Sequence, residues 1–144
     1  MKFLYIIQSG KDIGMGHVSR GVSFIRSARD LGHKCKLINF SQSNSFCTNT
    51  ADFTSQFGIL PVEIKSLYKL IEYIKHNIFD FILIDLPNFD NENDYILMNQ
   101  ISKYSKSVCI DDISNRRLYA DINFYPPIQW INSLDWENYT GKLY

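Results

Sequence analysis

The residues best suited to chemistry lie near the N-terminus. Gly14, Met15, Gly16, His17 and Arg20 fall within the stretch Ser9-Gly10-Lys11-Asp12-Ile13-Gly14-Met15-Gly16-His17-Val18-Ser19-Arg20. An apolar run, Phe3 to Ile7, precedes the stretch and reads as a buried strand, and a helical pattern follows it. A glycine-rich turn between strand and helix lets backbone N–H groups approach a ligand, and the helix N-terminus adds partial positive charge. His17 then opens the helix with a side chain that can move a proton near neutral pH. The helix dipole disfavours the imidazolium there, which suits a neutral ring acting as a base. Arg20 follows at the spacing that shares a helix face. The plainer reading is a tight turn in which His17 only caps the helix. Gly10, Gly14 and Gly16 do not make Gly-x-Gly-x-x-Gly, and no Gly-Lys-Ser/Thr is present. The dinucleotide fingerprint and the nucleoside-triphosphate P-loop are therefore not met.

Other candidates sit further along. Asp85 ends the most apolar strand, so its carboxylate either enters a cleft or caps the following turn. Asp111 and Asp112, followed by Ser114, Asn115, Arg116 and Arg117, make a charged turn. Its plain reading is a solvated loop with Asp–Arg pairs worth little each. His33 and His76 lie at helix C-termini, where a charged imidazole is simply favourable, and receive no role. No residue set makes a metal-ligand cluster, and no Gly-x-Ser-x-Gly elbow occurs. No metal or cofactor is expected.

The elements that must position these residues alternate. Strands are expected at Phe3–Ile7, Cys35–Phe40, Leu60–Ile64, Phe79–Ile84 and Ser107–Ile110, with a last short one at Asp121–Tyr125. Helices are expected at His17–Leu31, Ser66–Asn77 and Asn93–Tyr104, with a weakly helical, polar segment from Ser41 to Phe57. Val18, Val22, Ile25 and Ala28 form the apolar stripe of the first helix, and Gly32 closes it. Leu67, Leu70, Ile71 and Ile74 do the same for the second clear helix. This βα spacing predicts an α/β fold, a Rossmann-like, doubly wound and mostly parallel sheet in a single domain spanning 1–144. The Phe79–Ile84 strand should be central. Ligands bind such sheets outside the carboxyl ends of the strands, where the glycine turn, Asp85 and Asp111-Asp112 all fall.

Composition bounds the function. The chain has 144 residues, enough for one real core. Fifteen basic residues balance fifteen acidic ones, which gives no electrostatic case for nucleic acid. No apolar run reaches the length of a membrane span, and no secretory signal opens the chain. Cys35, Cys47 and Cys109 suit buried thiols in a reducing compartment, so a cytoplasmic location is expected. Aromatics make up 15% of the chain. Phe124, Tyr125, Trp130, Trp136, Tyr139 and Tyr144 look like a face awaiting a cover.

Gly14-Met15-Gly16-His17-Val18-Ser19-Arg20 resembles the Gly-x-Gly-His-x-x-Arg element of a UDP-sugar hydrolase family of pseudaminic acid biosynthesis. Ile84-Asp85 resembles the family's Ile-Asp after the central strand. Ile110-Asp111-Asp112, then Arg116 or Arg117, then Ala120-Asp121, resemble its Asp-Asp, Arg, Ala-Asp block. Order and spacing agree from about Lys2 to the end. The resemblance implies the N-terminal, sugar-side domain of a GT-B-type architecture, in which two Rossmann-like domains face each other across a cleft. It implies release of UDP from a UDP-linked diacetamido trideoxy hexose, with His17 as general base. Gly14, Met15, Gly16, Arg20, Asp85 and Asp112 would line the substrate. The resemblance places the nucleotide on a C-terminal domain that would lie beyond Tyr144 or on a partner chain, so the 144 residues alone are expected to catalyse little. The chain departs from the family at Leu86-Pro87-Asn88, where a His-aromatic pair is usual, and at Tyr125-Pro126-Pro127. A GT-B glycosyltransferase acceptor domain and a non-catalytic subunit needing a partner chain are the alternatives.

Overall fold

The computed structural model describes residues 1–10, 14–41, 48–87, 91–126, 131, 133–137 and 139–144. Lys11, Asp12, Ile13, Cys47, Asn88, Pro127 and Trp130 lie outside the described residues. The elements run β1 (Lys2–Ile7), α1 (Gly16–Asp30), β2 (Lys34–Phe40), α2 (Thr48–Ser55), β3 (Val62–Ile64), α3 (Leu67–His76), β4 (Phe81–Asp85), α4 (Asn91–Ile101), β5 (Lys106–Ile110), α5 (Arg116–Tyr119), β6 (Ile122–Phe124) and β7 (Lys142–Leu143). The strands form one seven-stranded sheet in the order β3-β2-β1-β4-β5-β6-β7. Every pairing among the described residues is parallel. The fold is α/β and Rossmann-like, as the alternating pattern predicts, and β4 is the middle strand.

The order explains where the core sits. From β1 the chain winds outward through β2 to β3, then returns to place β4 on the other side of β1. The reversal of winding direction puts α1 on one face and α3 and α4 on the other, as the rule of right-handed crossovers requires. Leu4 and Ile6 of β1 pack with Ile82 and Ile84 of β4, and with Leu70 and Ile74 of α3 and Leu97, Met98 and Ile101 of α4. Tyr5 and Ile7 face the other way, against Val18, Val22 and Ile25 of α1. This alternation is the two-residue period of a strand. Phe3, Phe24, Phe81, Leu83, Val108 and Ile122 line an apolar groove on the α1 side of the sheet.

The helix ends follow local chemistry. Gly32 has φ +79, the left-handed conformation that costs a glycine little. Its N–H reaches Arg29 O at 2.8 Å, and His33 N–H reaches Ala28 O at 2.9 Å, a Schellman closure of α1. The other end of α1 has no such device: Met15 stands at the N-cap with no side-chain cap, and the first turn holds no acid. α3 differs, since Ser66 Oγ accepts from Lys69 N.

Several elements depart from expectation. α4 stops at Ile101 rather than Tyr104, because Tyr104 N–H turns back to Ile101 O at 2.9 Å. β3 begins at Val62, directly after Pro61, which has no N–H to donate. α5 and β7 are additions, too short for periodicity to signal. The C-terminal aromatics are divided. Trp136 packs edge-on to Tyr125 at 5.7 Å and against Tyr139 at 5.3 Å, while Phe124 and Tyr144 stack on each other at 5.3 Å and stay exposed. No helix among the described residues is long and apolar enough to cross a membrane.

Gly21 sits in mid-α1, where glycine costs about 0.5–1 kcal/mol of helix stability. Close packing explains it. A Cβ there would lie 3.3 Å from Tyr5 Cδ1 and Cε1 and 3.4 Å from Ile7 Cγ2. Gly21→Val should lower stability by about 1–3 kcal/mol through overpacking, read as a lower urea midpoint.

Candidate functional site

The site forms where the winding reverses. β1 and β4 are neighbours, and Ile7 at the end of β1 is in register with Asp85 at the end of β4. Chains leave these two strands in opposite directions, which opens a crevice at their carboxyl ends. The turn after β1 is pinned from its far side. Ser9 N and Oγ both donate to Asn39 Oδ1 at 3.1 Å, and Thr50 Oγ1 donates to Ser9 Oγ at 2.8 Å. Gly14 has φ +72, which permits the bend into α1. Met15 packs against the α1-side core, and Gly14 and Gly16 are exposed. His17 and Arg20 then project from one face of α1 toward β4.

Asp85 is fully buried and receives four hydrogen bonds. His17 Nδ1 at 2.6 Å and Arg20 Nη2 at 2.7 Å meet Oδ1; Arg20 Nε at 2.8 Å and the Tyr5 hydroxyl at 3.0 Å meet Oδ2. The Arg20 pair is bidentate, the strong geometry for guanidinium and carboxylate. An ionised carboxylate only accepts, so His17 Nδ1 carries a proton, and in the neutral ring it is Nε2 that holds the lone pair. Arg20 Nη2 lies 3.3 Å from Nδ1 because both donors converge on the same oxygen. Burial alone would raise the Asp85 pKa, but the bonds from His17 and Arg20 outweigh it and hold the group below the ordinary carboxylate value. Burial, reinforced by the Asp85 charge, pushes the Tyr5 hydroxyl far up, so it remains a neutral donor. The bond to Asp85 raises the pKa of Arg20. The side chains of His17 and Arg20 are 24% and 39% exposed, so the dyad is open to a ligand on one side. An Asp–His pair held this way can accept a proton at Nε2.

The two acids after β5 separate. Asp112 is buried, and its Oδ2 accepts from Arg116 Nε at 2.7 Å while Oδ1 accepts from Ser114 N at 2.8 Å. Arg116 is fully buried; its Nη2 donates to Leu86 O and Pro87 O at 2.9 Å, and its Nη1 lies 3.2 Å from Asp94 Oδ1. Arg117 donates to Ile113 O and Ser114 O from Nη1 and to Asp135 O from Nη2, with its guanidinium over the Trp136 ring. The charged turn is thus no solvated loop: it is an internal brace that grips the backbone directly after Asp85. Asp112 stands in that brace, apart from His17, Arg20 and Asp85. Asp111 faces the site, its Oδ2 3.4 Å from Arg20 Nη1. It is the one non-glycine with positive φ, +52, among the described residues.

Sequence reasoning brought out His17, Arg20, Asp85 and the Asp111-Asp112 pair but passed over Tyr5 and Asn39 as site residues. Tyr5 reads as one more apolar strand position. Asn39 gave a faint signal, a lone amide between the apolar residues Ile38 and Phe40 near the end of β2. His33 packs against the Phe3 ring at 5.5 Å, and His76 lies 3.5 Å from Glu72, both away from the crevice. Cys35 and Cys109 are free, and burial pushes the Cys109 thiol well up. Among the described residues no group of His, Cys, Asp or Glu could hold a metal ion.

Removing one partner of a buried ionic network leaves the others unpaired. Arg116→Ala should therefore cost about 3–5 kcal/mol, measured by urea unfolding. Acid should act through Asp85. Its folded pKa is depressed, so its stabilising contribution is complete above the unfolded value of about 3.9 and is lost as pH falls through the lower folded value. Urea midpoints should be level near neutral pH and drop in acid, with a shallower drop in Asp85→Asn.

Comparison of the chain with models of known protein families and with curated proteins finds no match to either.

Proposed function

We propose that this chain is the sugar-side domain of a UDP-sugar hydrolase, of the kind that serves pseudaminic acid biosynthesis, and that it works opposite a nucleotide-binding domain in a GT-B-type arrangement. The single observation that carries this reading is the 2.6 Å bond from His17 Nδ1 to the buried Asp85, which leaves Nε2 as a base at the strand-reversal crevice. The sequence resemblance around Gly14-Met15-Gly16-His17 and Arg20 supplies the substrate class. In the proposed reaction His17 Nε2 takes a proton from water. The water oxygen bonds to the anomeric carbon, and the bond from that carbon to the β-phosphate oxygen breaks. UDP leaves with the electron pair, and the imidazolium formed is stabilised by the Asp85 carboxylate. Arg20 and Tyr5 keep that carboxylate ionised and aimed.

The test is UDP release from a UDP-linked diacetamido trideoxy hexose, with the chain joined to or mixed with its nucleotide-binding domain. His17→Ala should slow release by about 10²–10⁴-fold while UDP still binds. A near-normal rate in that variant would overturn the role of His17. Free sugar plus UDP is the expected product; a new glycoside would instead make the chain a glycosyltransferase acceptor domain, with the same base acting on a hydroxyl.

A further inference from the structure

We infer that Asp111 selects the ligand of this site, and that the group it selects is an uncharged ring hydroxyl of the sugar. The inference rests on the proposed sugar-side reading. Asp111 and Arg20 stand side by side at the mouth of the crevice, 32% and 39% exposed. Their 3.4 Å contact is long for a charge-assisted bond, whereas Arg20 meets Asp85 at 2.7 and 2.8 Å. Arg20 Nη1 therefore offers a donor beside an acceptor that it only loosely engages. A hydroxyl both accepts and donates, so it fits between them, taking a bond from Nη1 and giving its proton to the Asp111 carboxylate.

Charge decides against a phosphate at the same place. Among the described residues, the carboxylates of Asp85 and Asp111 flank the single guanidinium of Arg20. The α1 N-terminus returns about half a positive charge, and that lies at Gly16, a turn away from Arg20. The Asp111 carboxylate, 3.4 Å from Arg20 Nη1, repels an anion approaching that donor and leaves a neutral hydroxyl unopposed. The backbone places the carboxylate deliberately on this side. Asp111 N–H is tied to Phe124 O at 2.8 Å while its φ is +52, so residue 111 turns toward Arg20 as Asp112 turns inward to Arg116.

The full 144-residue chain, titrated by NMR with N-acetylglucosamine and separately with inorganic phosphate, tests this through the Arg20 Nε–H and His17 ring signals. The sugar should move both signals, and phosphate should bind more weakly or not at all. Asp111→Gly keeps the left-handed backbone and removes the carboxylate; it should weaken the sugar by about 10-fold or more while the chain stays folded. Asp111→Asn, which also tolerates that backbone, should weaken it in the same direction. Wild-type sugar affinity in both variants overturns the inference, as does an absence of sugar-dependent shifts or tighter binding of phosphate at Arg20. The two readings fail separately. If His17→Ala abolishes UDP release while Asp111→Gly binds the sugar as wild type does, the function stands and the role of Asp111 falls. If Asp111→Gly loses the sugar while His17→Ala turns over normally, the proposed base falls instead.

Discussion

A carboxylate buried at the end of the central strand sets the terms for this molecule. Asp85 has no contact with water, and an unpaired charge there would cost several kcal/mol. Its tolerance depends on donors arriving from two other places in the sequence: Tyr5 from the neighbouring strand, and His17 and Arg20 from the helix that follows that strand. Parallel pairing of β1 with β4 brings the Tyr5 hydroxyl to the right height, and the missing side chain at Gly21 lets α1 lie close over the Tyr5 ring. The same bonds that make burial bearable fix the imidazole tautomer. Stability and chemistry therefore draw on one set of contacts.

A second ionic network supports the first without touching a ligand. Arg116 holds the carbonyls of Leu86 and Pro87, and so fixes the path of the chain immediately beyond Asp85. Its own charge is met by Asp112 and Asp94. The fold thus places one ionic cluster at the crevice and another behind the loop that borders it. Asp111 and Asp112, adjacent in sequence, belong to different clusters because Asp111 itself adopts the left-handed conformation.

The sheet was largely legible in the sequence because long apolar strands and amphipathic helices carry strong periodic signals. Val18, Val22 and Ile25 announced α1, and Leu70 and Ile74 announced α3, as their burial bears out. Two short pieces were not legible: α5 and β7 are too brief for any period to register. Of the site, His17, Arg20 and Asp85 stood out because a glycine turn, a helix start and a strand end each mark a place where ligands gather. Tyr5 did not, since a hydroxyl on an apolar strand looks like packing until its partner across the sheet is known. Arg116 and Arg117 misled, because charge in a short turn reads as solvent exposure and only tertiary structure shows the carbonyls that enclose them.

The uncapped start of α1 takes on a different meaning in this setting. A helix beginning at Met15 with no side-chain cap and no acid in its first turn should fray, opening and closing many times while the rest of the domain stays folded. Here His17 in the first turn and Arg20 just beyond it are both fastened to the centre of the sheet. Unwinding that turn would strand the Asp85 charge, so the usual local opening is coupled to a much larger loss. The terminus is secured from outside the helix rather than from within it. The imidazole consequently spends its time in one orientation, held there by the chain's own electrostatics before any ligand arrives.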